Sequence, residues 1–461
     1  MKASARDTIL GCSAKERQPG AASSGRRPLF YGHGPQLCRV VLGVLCVASG
    51  ALAAEFEGRW KLVASGFDAT NEDIVARSGI DPAYGLNADL RLGYRDSLGK
   101  LSWEIAGEIT ALQGDLVRNQ ALVPFGANGG SEGALFISDA GRAVDLADII
   151  DRGGRHAISQ RVDRAVLAWQ RGRVRVRAGR QALSLGGGIV FNPLDVYSPF
   201  APTAVDRDFK TGDDALIITY LGPSGSETEL IGVARRRPGE KGLSAAASSF
   251  GVRHRRQVGA LELELGAARH YDDDLIMASA SGPIGGAVWR INWLGTFHKR
   301  PDGASTSTHS AVANIDFAFG FRDQAGYAFF EYYYNGFGDP AAAEEPPRLS
   351  QPALERLARG ELFVLEQHYF AMGTQLGLTP LMNLNAAAIF NLEDQAPLLQ
   401  AGLVYQPGDN QTLEFGVIVP TGYAGEEFGG ITLGQVPADD GAAPLLTGTS
   451  RQAYLRHVWF F

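Results

Sequence analysis

Cysteine is scarce in this chain of 461 residues. The sequence contains three, and all of them, Cys12, Cys38 and Cys46, lie in the first tenth of the chain. If that stretch is removed, the remaining chain has no thiol. This excludes a cysteine zinc site and a cysteine nucleophile from the main body, and it fits export through an oxidising compartment.

Long apolar runs are also missing. The longest, residues 40–52, follows Arg39 and ends in Ala51-Leu52-Ala53, which has the small-x-small pattern of a signal-peptide cleavage site. The run is shorter than the roughly 20 apolar residues that a membrane-spanning helix requires. We therefore expect a leader over residues 1–54. Residues 55–461 could enter a membrane only as a closed barrel, because only closure pairs every backbone polar group in hydrocarbon.

An excess of positive charge is absent. Lys and Arg number 43 against 50 Asp and Glu, which gives a net charge of -7 and argues against a nucleic-acid partner. None of the eight histidines forms a metal-ligand pair with i, i+4 spacing, and no nucleophile elbow or phosphate-binding loop is present. We therefore predict no catalytic residue, no metal and no cofactor.

What the chain does contain is alternation. Apolar residues make up 45% of the sequence, charged residues 20%, and there are 58 glycines. In residues 86–95, leucines alternate with Asn87, Asp89 and Arg91, and residues 101–110 repeat the pattern after a short turn. Barrel strands need roughly 9 to 11 such residues, with lipid-facing and lumen-facing side chains in turn. The fold class is therefore predicted to be an all-β transmembrane antiparallel barrel with long outer loops.

The connections set the strand number, because they alternate between short and long. Strands can be counted forward from the first strand and backward from the last. The two counts place the short turns at the same end of the barrel only if residues 274–281, a weakly patterned stretch before a turn at Pro283, form a strand. Counting it gives roughly 18 strands, and omitting a weak hairpin gives roughly 16. Short turns are predicted at 96–99, 171–172, 222–225, 323–326, 377–380 and 407–410, and long loops at 66–83, 113–159, 186–212, 336–360 and 422–449.

The last residues alternate as a strand would and end on Phe461. This ending resembles that of bacterial outer-membrane β-barrels, whose terminal aromatic residue is read by the barrel-assembly machinery. The resemblance implies that machinery and outer-membrane lipid as partners, and the cell outer membrane as the location. A soluble β-rich binding protein that ends in an aromatic edge strand is the alternative.

A second resemblance rests on residues 179–220. Gly179-Arg180-Gln181 leads to three glycines at 186–188, then to Asn192-Pro193 and Asp195, and the chain returns through an acidic and basic run that ends at Lys210. This resembles a porin-like outer-membrane family that includes alginate-export-type and other substrate-specific barrels. Members of such families are passive conduits.

Two groups of candidate site residues follow. In the predicted loop 186–212, the charged residues either form a constriction inside the pore or brace an external loop by salt bridges. On the wall, Arg173, Arg175 and Arg177 facing Glu104 and Glu108 would create a transverse field, or the charges simply neutralise one another. The pore-lining candidates are Asp89, Arg91, Glu104, Glu108, Arg173, Arg175, Arg177, Glu262, Glu264, Asp316, Glu331 and Glu414. The constriction-loop candidates are Asn192, Asp195, Asp206, Arg207, Asp208 and Lys210.

The function predicted from the sequence is a porin-like channel for passive diffusion of ions or small hydrophilic solutes. A homo-oligomer is one possible state of assembly. The alternative is a non-conducting outer-membrane barrel for surface-polymer handling, assembly or adhesion.

Overall fold

A computed structural model describes residues 54–80, 82–119, 139–205, 207–299, 305–340, 342, 349–438 and 441–461. The predicted leader therefore falls, apart from its last residue, outside the described residues. Among the described residues, no helix is long and apolar enough to cross a membrane.

The described chain is almost entirely β-structure. Three helices, α1 (Ile74–Arg77), α2 (Asp115–Asn119) and α3 (Gln351–Arg359), lie in connections between strands, and α3 begins where the Ser350 side chain accepts the Ala353 N–H. The strands, in chain order, are β1 (Glu55–Asp68), β2 (Ala83–Leu98), β3 (Leu101–Gly114), β4 (Ala147–Arg152), β5 (His156–Arg171), β6 (Val174–Gln181), β7 (Asp213–Leu221), β8 (Glu227–Val233), β9 (Ser249–Val258), β10 (Leu261–His270), β11 (Asp273–Ile284), β12 (Ala287–Lys299), β13 (Ser305–Phe321), β14 (Gln324–Tyr334), β15 (His368–Thr379), β16 (Met382–Asn391), β17 (Pro397–Gly408), β18 (Gln411–Pro420), β19 (Ile431–Ala438), β20 (Gly441–Thr447) and β21 (Arg451–Phe460).

Eighteen of these strands form a closed antiparallel barrel, which confirms the predicted fold class and the higher of the two strand counts. Each wall strand pairs with the next along the chain, with two exceptions. β3 pairs with β5, and β18 pairs with β21, which in turn pairs with β1 and closes the wall. At that junction, the backbones of Gly58 and Phe461 exchange two hydrogen bonds of 2.7 and 2.9 Å.

The two faces of the wall differ in polarity as the alternation predicts. On β2, Asp89 and Arg91 point into the bore and are buried, whereas Leu92 between β1 and β3 points outward and is 41% exposed. The same alternation continues on strands across the barrel, where outward Leu265 is 64% exposed and inward Glu264 is buried. The exposed apolar side chains therefore form the outer surface of the barrel.

The short turns lie at one end and the longer connections at the other. Three predictions about the connections are wrong in detail. Pro283 is not in a turn but in β11, opposite Val288, and the turn follows at 285–286. The predicted loop 113–159 contains β4, which lengthens the sheet beside β5, and the predicted loop 422–449 contains the β19–β20 hairpin. Neither β4 nor this hairpin belongs to the ring of wall strands, so neither shows the alternation that the wall imposes.

Candidate functional site

The connection between β6 and β7, residues 182–212, folds into the barrel, and we call it the inner loop. Its first half packs against one side of the wall. Leu183, Leu185 and Leu194 share an apolar cluster with Ile217 of β7 and Leu275 of β11. Leu194 is fully buried. The cluster holds this half of the loop by burial of apolar surface rather than by charge.

The Gly-Arg-Gln motif ends β6 and fixes the base of the inner loop. Gly179 has φ 118°, and an added Cβ would lie 2.1 Å from the carbonyl oxygen of Ala165, so only glycine fits. Arg180 is 2% exposed and donates two hydrogen bonds, of 2.9 and 3.0 Å, to the carboxylate of Asp214. This bidentate pair joins the two strands from which the inner loop departs and to which it returns.

The middle of the inner loop is bound by a single carboxylate on the opposite wall. Glu331 of β14 accepts the backbone N–H groups of Ile189, Val190 and Phe191 at 2.7, 2.9 and 2.7 Å. The Phe191 ring stacks on Tyr333, with 4.7 Å between ring centroids. Glu331 was predicted to line the pore, and it does face the bore, but the inner loop covers it.

The tip of the inner loop reaches a third part of the wall. Both oxygens of Asp208 lie 2.6 Å from Arg456 Nη2 of β21, and one lies 3.0 Å from Arg59 Nη1 of β1. The Phe209 ring lies under two guanidinium groups, 3.8 Å from Arg91 and 4.9 Å from Arg59. β21 lies beside β1 only because the barrel closes, so closure brings Arg456 next to Arg59 and creates this site.

Bonds within the inner loop keep it compact. Lys210 Nζ lies 2.6 Å from both oxygens of Asp195 and also donates to the Leu183 carbonyl. Burial is the largest influence on the pair and raises the pKa of Asp195 to about 6, although Lys210 acts in the opposite direction. Asn192 donates to the Leu185 carbonyl at 2.7 Å.

The reversal of the loop requires a glycine at position 188, where an added Cβ would lie 1.8 Å from the Phe191 carbonyl oxygen. Arg207 donates to the carbonyls of Ala201 and Pro202. Asp206 lies outside the described residues. The other constriction-loop candidates therefore either brace the loop or tie its tip to the wall.

A basic cavity of about 500 Å³ lies between the inner loop and the end of the barrel with the short turns. Its charged lining consists of five basic side chains and one carboxylate. Glu104 lies 3.5 Å from one of the five, Arg95. Arg177 forms no ion pair with any residue that the structure describes. The basic residues that line the cavity are Arg95, Lys100, Arg164, Arg175 and Arg177.

The predicted transverse field is wrong in its geometry. The strands that carry Glu104 and Arg177, β3 and β6, are separated only by β5, so these residues lie on the same stretch of wall. Glu108 pairs instead with Arg161 at 4.0 Å. Arg173 is not in a strand at all, because β5 and β6 are joined by a turn over residues 172–173 in which Gly172 has φ 57°.

The other pore-lining candidates lie on inward positions of the wall strands. Asp89 and Asp316 form ion pairs with Arg59 and Arg290, respectively. Arg91 lies 3.3 Å from Asp163, Glu264 lies 3.5 Å from Arg253, and Glu414 lies 3.3 Å from Arg456. Glu262 occupies the inward position next to Glu264 and is exposed. Most of these charges pair with oppositely charged residues on the wall.

Several site residues were missed by the sequence prediction. Arg59, Arg164 and Arg456 occupy inward positions, and Phe209 sits between two charged residues in the loop. Period-two alternation places Arg59 and Arg456 on the polar face of their strands, so that signal was available. Their meeting at Asp208 had no sequence signal. Among the described residues, no cluster of three or more His, Cys, Asp or Glu could hold a metal ion.

No protein-family model and no curated protein matches the chain. Solved structures with a similar fold include OccAB1 of Acinetobacter baumannii, with a TM-score of 0.52 and 10% sequence identity over 90% of this chain and 98% of that one. OccK11 (OpdR) of Pseudomonas aeruginosa has a TM-score of 0.49 and 11% identity over 88% of this chain and 96% of that one. The likeness to OccAB1 shows the fold, a closed antiparallel β-barrel. The narrower resemblance to alginate-export proteins is not supported.

Proposed function

We propose that this chain forms a channel in the outer membrane of a Gram-negative bacterium, through which ions and small hydrophilic solutes diffuse passively. One observation carries the proposal: the inner loop is bound across the bore on three sides, and a basic cavity of about 500 Å³ remains beside it. A loop folded inward in this way narrows a pore and sets its charge. The apolar outer surface suits lipid and disfavours the soluble alternative, because soluble proteins rarely expose such a continuous apolar area.

The charge of the cavity favours anions among the permeating solutes. Glu104 pairs with Arg95 and Asp163 pairs with Arg164, so Lys100, Arg175 and Arg177 are the lining charges that no described carboxylate pairs with. A field of one sign inside a low-dielectric wall concentrates counter-ions and excludes ions of the same sign. We therefore expect chloride and small organic anions to permeate better than potassium.

Conductance in a planar lipid bilayer tests the proposal. The purified barrel should give stepwise current increments, and a potassium chloride gradient should give a reversal potential on the anion side. A bilayer that stays silent at every voltage after insertion would contradict the channel and favour a non-conducting barrel for surface-polymer handling, assembly or adhesion. Preferential permeation of potassium would contradict only the anion preference.

We also propose that Phe461 is the signal read by the barrel-assembly machinery. Its backbone is bonded to Gly58, and its ring packs over that glycine. Replacing Phe461 with alanine keeps the backbone bonds but removes the ring, so we expect less assembled barrel in cells while unassisted refolding in detergent proceeds. Heat-modifiable gel mobility measures the folded fraction in cells and after refolding in detergent. Equal assembly of wild type and variant in cells would contradict the role of Phe461 as the assembly signal. Assembly into a homo-oligomer stays a prediction.

A further inference from the structure

Three carboxylates converge on one amide at the end of the barrel with the long connections, and we call Glu366, Asp394 and Glu427 the carboxyl cluster. The Nδ2 atom of Asn391 lies 2.6 Å from Glu366, 3.1 Å from Glu427 and 3.3 Å from Asp394. An amide nitrogen has only two hydrogens to donate, so one of these three contacts lacks a hydrogen. Glu366, Asn391 and Glu427 are all at least 95% buried.

The cluster joins three separate connections. Glu427 belongs to residues 421–450, which link β18 to β21 and which we call the final connection. Glu427 accepts the Leu365 N–H at 2.8 Å and the Tyr369 hydroxyl, and its own N–H donates to Asp394 at 2.8 Å. Glu366 and Leu365 precede β15, and Asp394 lies between β16 and β17. Glu427 therefore binds the base of the final connection to the two neighbouring connections.

The same anchor reaches the inner loop. Phe428, next to Glu427, belongs to the apolar cluster that contains Phe191 of the inner loop and Tyr369. It also borders a small apolar gap together with Thr203 of the inner loop and Val364. A displacement of residues 426–429 would therefore remove part of the packing on the loop that narrows the bore.

Burial of several carboxylates together favours a bound proton, since like charges in a low dielectric repel and each loses its hydration. Burial first, and then the charges of Glu366 and Asp394, raise the pKa of Glu427 to about 8. Burial likewise raises the pKa of Asp394. A proton held in this way stabilises the folded connection fully below the ordinary glutamate pKa near 4.5, and the stabilisation is lost as the pH rises through about 8.

The other titratable groups on these segments have different partners. Glu393 accepts the His368 N–H, and the His368 ring bonds to Tyr332 on the outer face. Glu426 accepts the Tyr423 N–H at 2.6 Å. The groups that face Glu427 are therefore Tyr369 and the other two members of the carboxyl cluster.

We propose that the carboxyl cluster is a proton-dependent latch, which holds the final connection against the inner loop at neutral and acidic pH and releases it at alkaline pH. Release leaves the barrel wall intact, because the wall strands keep their own ladders. Its effect on ion current rests on the proposed channel function, whereas the release itself does not.

Hydrogen exchange followed by mass spectrometry tests the release without requiring a pore. After correction for the intrinsic pH dependence of exchange, the protection of peptides from 421–430 should fall about tenfold between pH 7 and pH 9, and peptides from the wall strands should keep theirs. Glu427→Gln keeps the shape of a protonated glutamate without an ionisable group, so this variant should stay protected at pH 9. Glu240→Gln, at an exposed carboxylate in the connection between β8 and β9, is the matched control and should behave as wild type.

Single-channel recording over the same pH range tests the effect on the bore. We expect the open-channel current or its noise to change with a midpoint near pH 8 in wild type and Glu240→Gln, and to stay constant in Glu427→Gln. Equal protection of 421–430 at pH 7 and pH 9.5 in wild type would overturn the latch, and so would a Glu427→Gln variant that titrates as wild type does. If Glu427→Gln gives no folded barrel, the wild-type exchange profile alone decides. A silent bilayer with an intact exchange transition would remove the channel and leave the latch.

Discussion

Charge reversal at Arg177 should weaken anion selectivity by an amount that the cavity size sets. A cavity of about 500 Å³ corresponds to a sphere of about 5 Å radius. Two unit charges about 5 Å apart in water interact by about 0.8 kcal/mol, and screening at 0.15 M salt halves this to about 0.4 kcal/mol. Arg177→Glu changes the cavity by two charges, so an anion at its centre loses about 0.9 kcal/mol, which is a factor of about four in local concentration.

The assay is the reversal potential of the inserted barrel under a potassium chloride gradient, which reports the ratio of anion to cation permeability. Arg173→Glu is the matched control, because Arg173 lies in the turn and does not line the cavity. At 1 M salt, where the screening length is about 3 Å, the effect of Arg177→Glu should fall below about twofold. Equal shifts in the two variants, or a shift that does not depend on salt, would refute the argument that the cavity sets the selectivity.

The remaining predictions concern the inner loop. Glu331→Ala leaves three backbone N–H groups of the loop without their acceptor and should cost about 3 kcal/mol, which urea unfolding in detergent micelles measures. Asp208→Asn removes the charge that holds the loop tip, so we expect larger current fluctuations in single-channel recordings; Glu264→Gln, an inward carboxylate with no bond to the loop, should leave the noise unchanged. Gly179→Ala should abolish the heat-modifiable folded form, whereas Gly320→Ala, where an added Cβ meets open space, should keep it. A quiet Asp208→Asn channel or a fully folded Gly179→Ala barrel would contradict the roles given to these residues.

The wall was predictable because the barrel imposes period two on every strand that belongs to it. Leu92 and Arg91 differ by one position and lie on opposite faces, as the pleat requires. The number of strands could be predicted from the same alternation once residues 274–281 were counted as a strand, and those residues do lie in β11. In contrast, β4 has the adjacent pair Ile149 and Ile150 and breaks the alternation, so its strand character had no such signal.

The site was only partly predictable, because its contacts depend on closure. The sequence indicated that residues 186–212 form an ordered loop with acidic and basic side chains. It did not indicate that Asp208 meets Arg456, since 248 positions separate them. Glu331 shows the same limit: alternation places it on the inner face, but only the fold of the loop turns it from a solute-facing charge into the acceptor of three N–H groups.

The pairing of β1 with β21 also constrains how the barrel can be made. Trp60 lies opposite Trp459, so nearly the whole polypeptide separates the two partners at the seam. Until β21 is available, the first strand has one unsatisfied edge, and a chain emerging from the ribosome cannot complete its tertiary structure during synthesis. Proteolytic loss of β21 would leave β1 and β18 with unpaired backbone N–H and C=O groups along one edge each, and such edges promote aggregation.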